Sequence, residues 1–183
     1  MITSTLETPT RRADLGFTLV ELVIVIIVLG ILAVVAAPKF INYKGDARVA
    51  ALKEMESTLK TANALIYSKA LLQGKAKIDA MYKPAVDIGT GKPLDTNYGY
   101  MQARIDEIEN ATGIQFAKAV NARSHDLVAG TDQGQDWIML SDNTGRVEIW
   151  QRGDPEKCYI SYTEARGTLL PEYSKLPKPS DCS

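Results

Sequence analysis

The sequence predicts an α+β fold: a long N-terminal α-helix, hydrophobic in its first half, followed by a globular domain whose antiparallel β-sheet packs on the helix's second half. Three observations lead there. Residues 22–37 are apolar throughout, interrupted only by Gly30. Leu52, Met55, Leu59, Ala62 and Ile66 then recur at spacings of three and four, one stripe of an amphipathic helix. Further on, short alternating runs separated by turn-forming residues read as strands.

The first element is residues 17–37, which as a helix reach about 31 Å, close to the hydrocarbon thickness of a bilayer. Glu21 is its one charge. The segment's 15 Leu, Ile, Val and Phe residues favour insertion by roughly 5 to 9 kcal/mol, against about 3 kcal/mol for the acid. Insertion wins, but an intramembrane carboxylate calls for a specific counter-charge, and the segment holds no Lys or Arg.

Three readings compete for this segment. A cleaved secretory signal has only Val35-Ala36-Ala37 as a small-residue site, followed by Pro38, a restricted bond after an overlong apolar core. A plain anchor explains the hydrophobicity and leaves Glu21 without a reason. The third reading takes residues 1–16 as a polar leader removed before Phe17. The freed α-amino group is mostly protonated at neutral pH. Glu21 lies one helical turn beyond it, so the ammonium of one subunit can meet the carboxylate of a neighbour and fix the axial register between helices.

Residues 38–72 continue as the amphipathic half of the helix, and its stripe is expected to cover the sheet; a coiled-coil seam is the competing reading. Gly30 and Pro38 bound the weakest stretch, by low helix propensity and a missing N–H, where the helix either kinks or loses helicity. From residue 73 the globular part begins. Gly74, Pro84, Gly89, Gly91, Pro93 and Gly99 read as an irregular connection. Residues 101–111 form a short helix ending before Gly113. Asp136-Trp137-Ile138-Met139-Leu140-Ser141 and Arg146-Val147-Glu148-Ile149-Trp150 pair as a hairpin across Asp142-Asn143-Thr144-Gly145. Cys158-Tyr159-Ile160-Ser161-Tyr162 adds a third strand, and Pro171, Pro177 and Pro179 mark an irregular tail.

Cys158 and Cys182 are the only cysteines. Beside a membrane-inserting segment they read as a disulfide closing a loop of about 25 residues, worth roughly 3.5 kcal/mol in the chain-entropy model.

Several chemistries find no support. A net charge of −1 lacks the clustered cationic excess that nucleic acid requires. His125 is the only histidine, so neither a His-paired nucleophile nor a multi-histidine zinc site can be built, and it reads as a surface residue. Asp132, Asp136 and Asp142 do not have EF-hand spacing and read as a solvated loop, with calcium the minor reading. Gly89-Thr90-Gly91-Lys92 lacks the glycine and hydroxyl positions of a phosphate loop, and Asn110-Ala111-Thr112 is a glycosylation triplet of the kind that arises by chance. No catalytic residue, cofactor or metal is expected.

Gly16-Phe17-Thr18-Leu19-Val20-Glu21 resembles the processing motif of type IV prepilins and of the related type II secretion pseudopilins. The likeness continues through Ala36-Ala37-Pro38-Lys39-Phe40, Gly45-Asp46-Ala47-Arg48, Ala50, Leu52 and Tyr67-Ser68-Lys69-Ala70, a run similar to the mannose-sensitive haemagglutinin (MSHA) pilins. The resemblance implies cleavage between Gly16 and Phe17 by a prepilin peptidase that then N-methylates Phe17. It gives Glu21 the role of recruiting or registering subunits, and it places loss of helicity on packing between Gly30 and Pro38. Ala13-Asp14-Leu15 departs from the family, which commonly has Lys or Arg before the glycine. The implied partners are further copies of the chain in a filament, the inner membrane before assembly, the peptidase, the pilus assembly machinery and a surface receptor. The implied locations are the inner membrane, with a cytoplasmic N-terminus, and then the extracellular pilus. A structural, non-enzymatic subunit supporting adhesion is the expected function, with a secretion-system pseudopilin as the alternative.

Overall fold

A computed structural model describes residues 18–121 and 126–183. Its first element, α1 (Leu19–Leu72), is a single helix of 54 residues. Contacts divide the chain between Phe40 and Ile41. In the first unit the span Leu19–Ala36 is long and apolar enough to cross a membrane, and none of it is buried within the molecule. Gly30 and Pro38 lie inside α1, so neither interrupts the helix of the single chain. The low propensity of two residues is outweighed there by the long runs of good helix formers on either side.

In the second unit, α1 ends in a Schellman arrangement. Gly74 takes a left-handed φ of 69°, its N–H bonds to the Leu71 carbonyl, and the Lys75 N–H bonds to the Ala70 carbonyl at 2.7 Å. The expected stripe is the buried one: Leu52, Met55, Leu59, Ala62 and Ile66 are all in the interior. Leu52, Met55, Leu59 and Ile66 pack in one cluster with Met139, Val147, Ile149, Ile160 and Tyr162 of the sheet. The helix thus packs on its own domain's sheet rather than forming a coiled-coil seam.

The stretch after α1 holds more structure than its glycines and prolines suggest. β1 (Ala85–Val86), β2 (Leu94–Asn97) and β3 (Tyr100–Met101) form a small antiparallel sheet. Strands of two to four residues carry too little alternation to be read from sequence, and side-chain bonds from elsewhere hold them. Met101 lies in β3 and not in a helix; α2 begins later, at Ile105–Thr112, and ends where Gly113 adopts φ 72°.

The main sheet runs β4 (Phe116–Lys118), β5 (Trp137–Ser141), β6 (Arg146–Gln151), β7 (Ile160–Thr163) and β8 (Glu172–Tyr173), in that order. The β5–β6 hairpin is in the expected register, with Met139 opposite Ile149. Its turn places Asn143 at φ 56° and Gly145 at φ 88°, while Asp142 Oδ1 accepts from the Thr144 N–H at 2.8 Å. The sheet is not antiparallel throughout. β4 pairs with β5 in parallel, at the edge of a sheet whose second face lies away from α1. That face buries Ala117, Ala119, Ile138 and Trp150 as a second apolar cluster. The alternation in β5 and β6 therefore serves two cores, Met139, Val147 and Ile149 on the helix side and Ile138 and Trp150 on the other.

Two polar side chains, Asn63 buried and Glu164 half-buried, join these layers. Asn63 of α1 accepts from the Met101 N–H at 2.9 Å and donates to the Tyr173 hydroxyl at 2.8 Å. Glu164 takes the Ala103 N–H at 2.8 Å and the Asn97 amide at 3.2 Å, tying both sheets together. Burial pushes the Tyr162 hydroxyl far above its ordinary pKa, so it stays a donor, and it bonds the Met101 carbonyl at 2.5 Å.

Candidate functional site

Gly16 and Phe17 lie outside the described residues, as does His125. The first described residue, Thr18, is the N-cap of α1, and Glu21 is its third helical residue. Their side chains form a capping box. The Thr18 N–H and Oγ1 both donate to Glu21 Oε2, at 3.0 and 2.9 Å, and Oγ1 accepts from the Glu21 N–H at 3.3 Å. Two backbone donors that would otherwise be orphaned at the helix terminus are satisfied, and the acid sits where the helix dipole favours negative charge.

Thr18 was not singled out by the sequence reading, although its signal is present. A Thr three residues before a Glu at the head of an apolar run is the capping-box pattern. Around this cap the helix is apolar on every side. Leu19, Val20, Leu22, Ile24, Ile26, Ile27 and Leu29 are among its exposed residues. The arrangement offers one anchored carboxylate in an uncovered hydrophobic surface. It can accept a cationic donor; among the described residues near it there is neither a nucleophile nor a base to do more.

The remaining candidates resolve as structure. Cys158 and Cys182 form a disulfide with both residues fully buried. Asp132 binds Arg152 Nη2 at 2.6 Å and the Gly134 N–H at 3.0 Å. The Gly134 bond, and then Arg152, hold its carboxyl below the usual range. Asp142 is engaged in the hairpin turn, and no group of three metal-capable side chains occurs among the described residues. The Asn110 amide bonds the Lys92 carbonyl at 3.0 Å and its oxygen accepts from Thr90 at 2.9 Å, a role in packing α2 against the preceding loop.

Comparison with known proteins bears on the same N-terminal region. Residues 11–37 match the family described as the prokaryotic N-terminal methylation motif. A fimbrial protein of Pseudomonas aeruginosa is 33% identical over 122 residues, which cover 65% of this chain and 76% of that protein. A second fimbrial protein of the same species matches to the same extent. The type IV major pilin protein PilA of Myxococcus xanthus (strain DK1622) is 33% identical over 85 residues, 46% of this chain and 35% of its own length. No solved structure matches significantly. The methylation motif, the long apolar helix leading into an α+β domain and the extended likeness to a fimbrial protein agree: this chain belongs to the type IV pilin family.

Proposed function

We propose that the chain is a structural, non-enzymatic subunit of an MSHA-like type IV pilus, cut by a prepilin peptidase between Gly16 and Phe17, N-methylated at Phe17 and polymerised through residues 17–37 into a surface filament that supports adhesion. Residues 1–16 are the leader, residues 38–72 carry the head, and residues 73–183 complete it. Before assembly the chain sits in the inner membrane with its N-terminus cytoplasmic, where the peptidase and the assembly machinery meet it. In the filament it faces the exterior and any receptor.

The observation that carries this reading is the anchored carboxylate of Glu21 in a helix segment with no cover of its own. Other copies of the same helix supply the cover, and the α-ammonium of a neighbouring Phe17 supplies the counter-charge. Interhelical packing without water depends on close van der Waals contact and a few polar pairs, and a single pair of this kind sets register. Gly30 and Pro38 bound the interval in which the helix loosens most readily as copies pack.

Intact-mass measurement of the protein recovered from cell envelopes tests the processing. A chain from Phe17 onward carrying one added methyl is expected; a Met1 terminus would sink the proposal. Glu21→Ala is expected to insert normally and assemble poorly, and abundant filaments from that variant refute the registry role.

A further inference from the structure

The C-terminal turn Pro179–Asp181 lies directly on α1. A Cβ at Gly45 would stand 2.2 Å from the Pro179 carbonyl oxygen and 2.9 Å from its carbon. Both are backbone atoms with little freedom to retreat, so glycine is required here for close approach. One turn further, Arg48 gathers three partners. Its Nη1 donates to the Cys182 carbonyl at 2.7 Å, its Nη2 to the Gly153 carbonyl at 3.2 Å, and its Nε meets Asp154 Oδ1 at 2.9 Å. The Asp154 side chain is 1% exposed, and its other oxygen accepts from the Gln151 N–H at 3.3 Å. Cys182 is bonded to Cys158, just before β7. One guanidinium thus ties α1 to the turn after β6 and to the C-terminal turn, and the disulfide ties that turn to the sheet.

The position along α1 gives these contacts their meaning. The described side chains of residues 18–35 are all exposed, and Gly45 is the first described α1 residue that is buried. Among the α1 residues whose side chains are described, Gly45 is the first buried one that unwinding starting between Gly30 and Pro38 meets. To go further, unwinding must pull Arg48 from three acceptors and leave Asp154 as an unpaired buried charge, which is costly. We propose that Gly45, Arg48, Asp154 and the C-terminal turn form a stop that confines unwinding of α1 to residues before Gly45, held in place by the Cys158–Cys182 bond. The stop rests on packing within residues 41–183 and is independent of the cut before Phe17.

Amide hydrogen exchange of the full chain in detergent micelles, read by mass spectrometry, tests it. In Arg48→Ala, exchange over residues 43–51 is expected to accelerate at least about tenfold while residues 59–70 keep their protection, because the two report separate opening events. Reduction of the wild-type chain is expected to accelerate residues 43–51 as well, together with the rest of the head that the bond stabilises, and Arg48→Lys to give an intermediate rate. Unchanged exchange over residues 43–51 in both Arg48→Ala and the reduced chain would overturn the proposal. In Arg48→Ala, acceleration over residues 59–70 equal to that over residues 43–51 would overturn it too, as general destabilisation.

Discussion

Ile27 and Ile66 belong to one helix, yet the first is 55% exposed and the second 1%. Apolar residues fill every side of α1 in its first half and recur at spacings of three and four in its second. A stripe can be covered by the chain's own sheet, whereas an all-round apolar surface needs cover from outside, by lipid or by other chains. The two halves therefore depend on different partners: the second on the sequence that follows it, the first on its surroundings and its neighbours.

Substitutions and conditions that act on one half alone test that separation. The largest effect is expected from reducing the Cys158–Cys182 bond. Its loop places the stability loss of the head at about 3.5 kcal/mol, and an unchanged melting temperature after reduction contradicts this. Leu59→Ala removes a fully buried side chain and is expected to cost the head about 3 kcal/mol in denaturant unfolding. Ile27→Ala, by contrast, is expected to leave head unfolding unchanged and to reduce filament yield, and a lower head melting temperature in that variant breaks the comparison. Asn63→Ala orphans the buried Met101 N–H and removes a donor from Tyr173, for an expected loss of about 2 kcal/mol.

The smallest effect is one of pH. Burial raises the Glu107 carboxyl above its ordinary value, opposed by the Asp95 N–H and reinforced by the charges of Asp106 and Asp95. The folded chain holds this proton more tightly than the unfolded one. Head stability is therefore expected to increase as pH falls from the raised value into the ordinary carboxylate range, and to be lost again as pH rises back through it. Glu107→Gln should reduce that slope in pH-dependent thermal melts. What remains is expected to be the balance of Asp154, which burial shifts in the same direction against the Gln151 N–H and the Arg48 charge, and of Asp132, whose lowered carboxyl acts with the opposite sign. An unaltered slope in Glu107→Gln excludes it as a source.

The features that repeat over many residues were legible in the sequence. The apolar span, the stripe from Leu52 to Ile66 and the β5–β6 hairpin each repeat a local rule often enough to stand out. The small sheet of β1 to β3 does not, since it depends on Asn63 and Glu164 reaching across from distant segments. The parallel pairing of β4 with β5 depends on a route through space that no local pattern encodes. At the candidate site, Glu21 was evident from its charge, whereas Thr18 required reading the pair rather than the residue. Gly45 and Arg48 gave no local sign of their role, because the turn they hold begins more than 130 residues later.

The cap at the head of α1 also bears on the energetics of the proposed assembly. Both Thr18 donors meet one oxygen of Glu21, Oε2. These two bonds restrain the Glu21 side chain, and no described residue bonds its Oε1. A flexible glutamate would have to surrender its side-chain freedom at the moment of docking, whereas this one has done so beforehand. Under the proposed registry role, an incoming chain would meet a preorganised acceptor, and less of the docking free energy would be spent on ordering it.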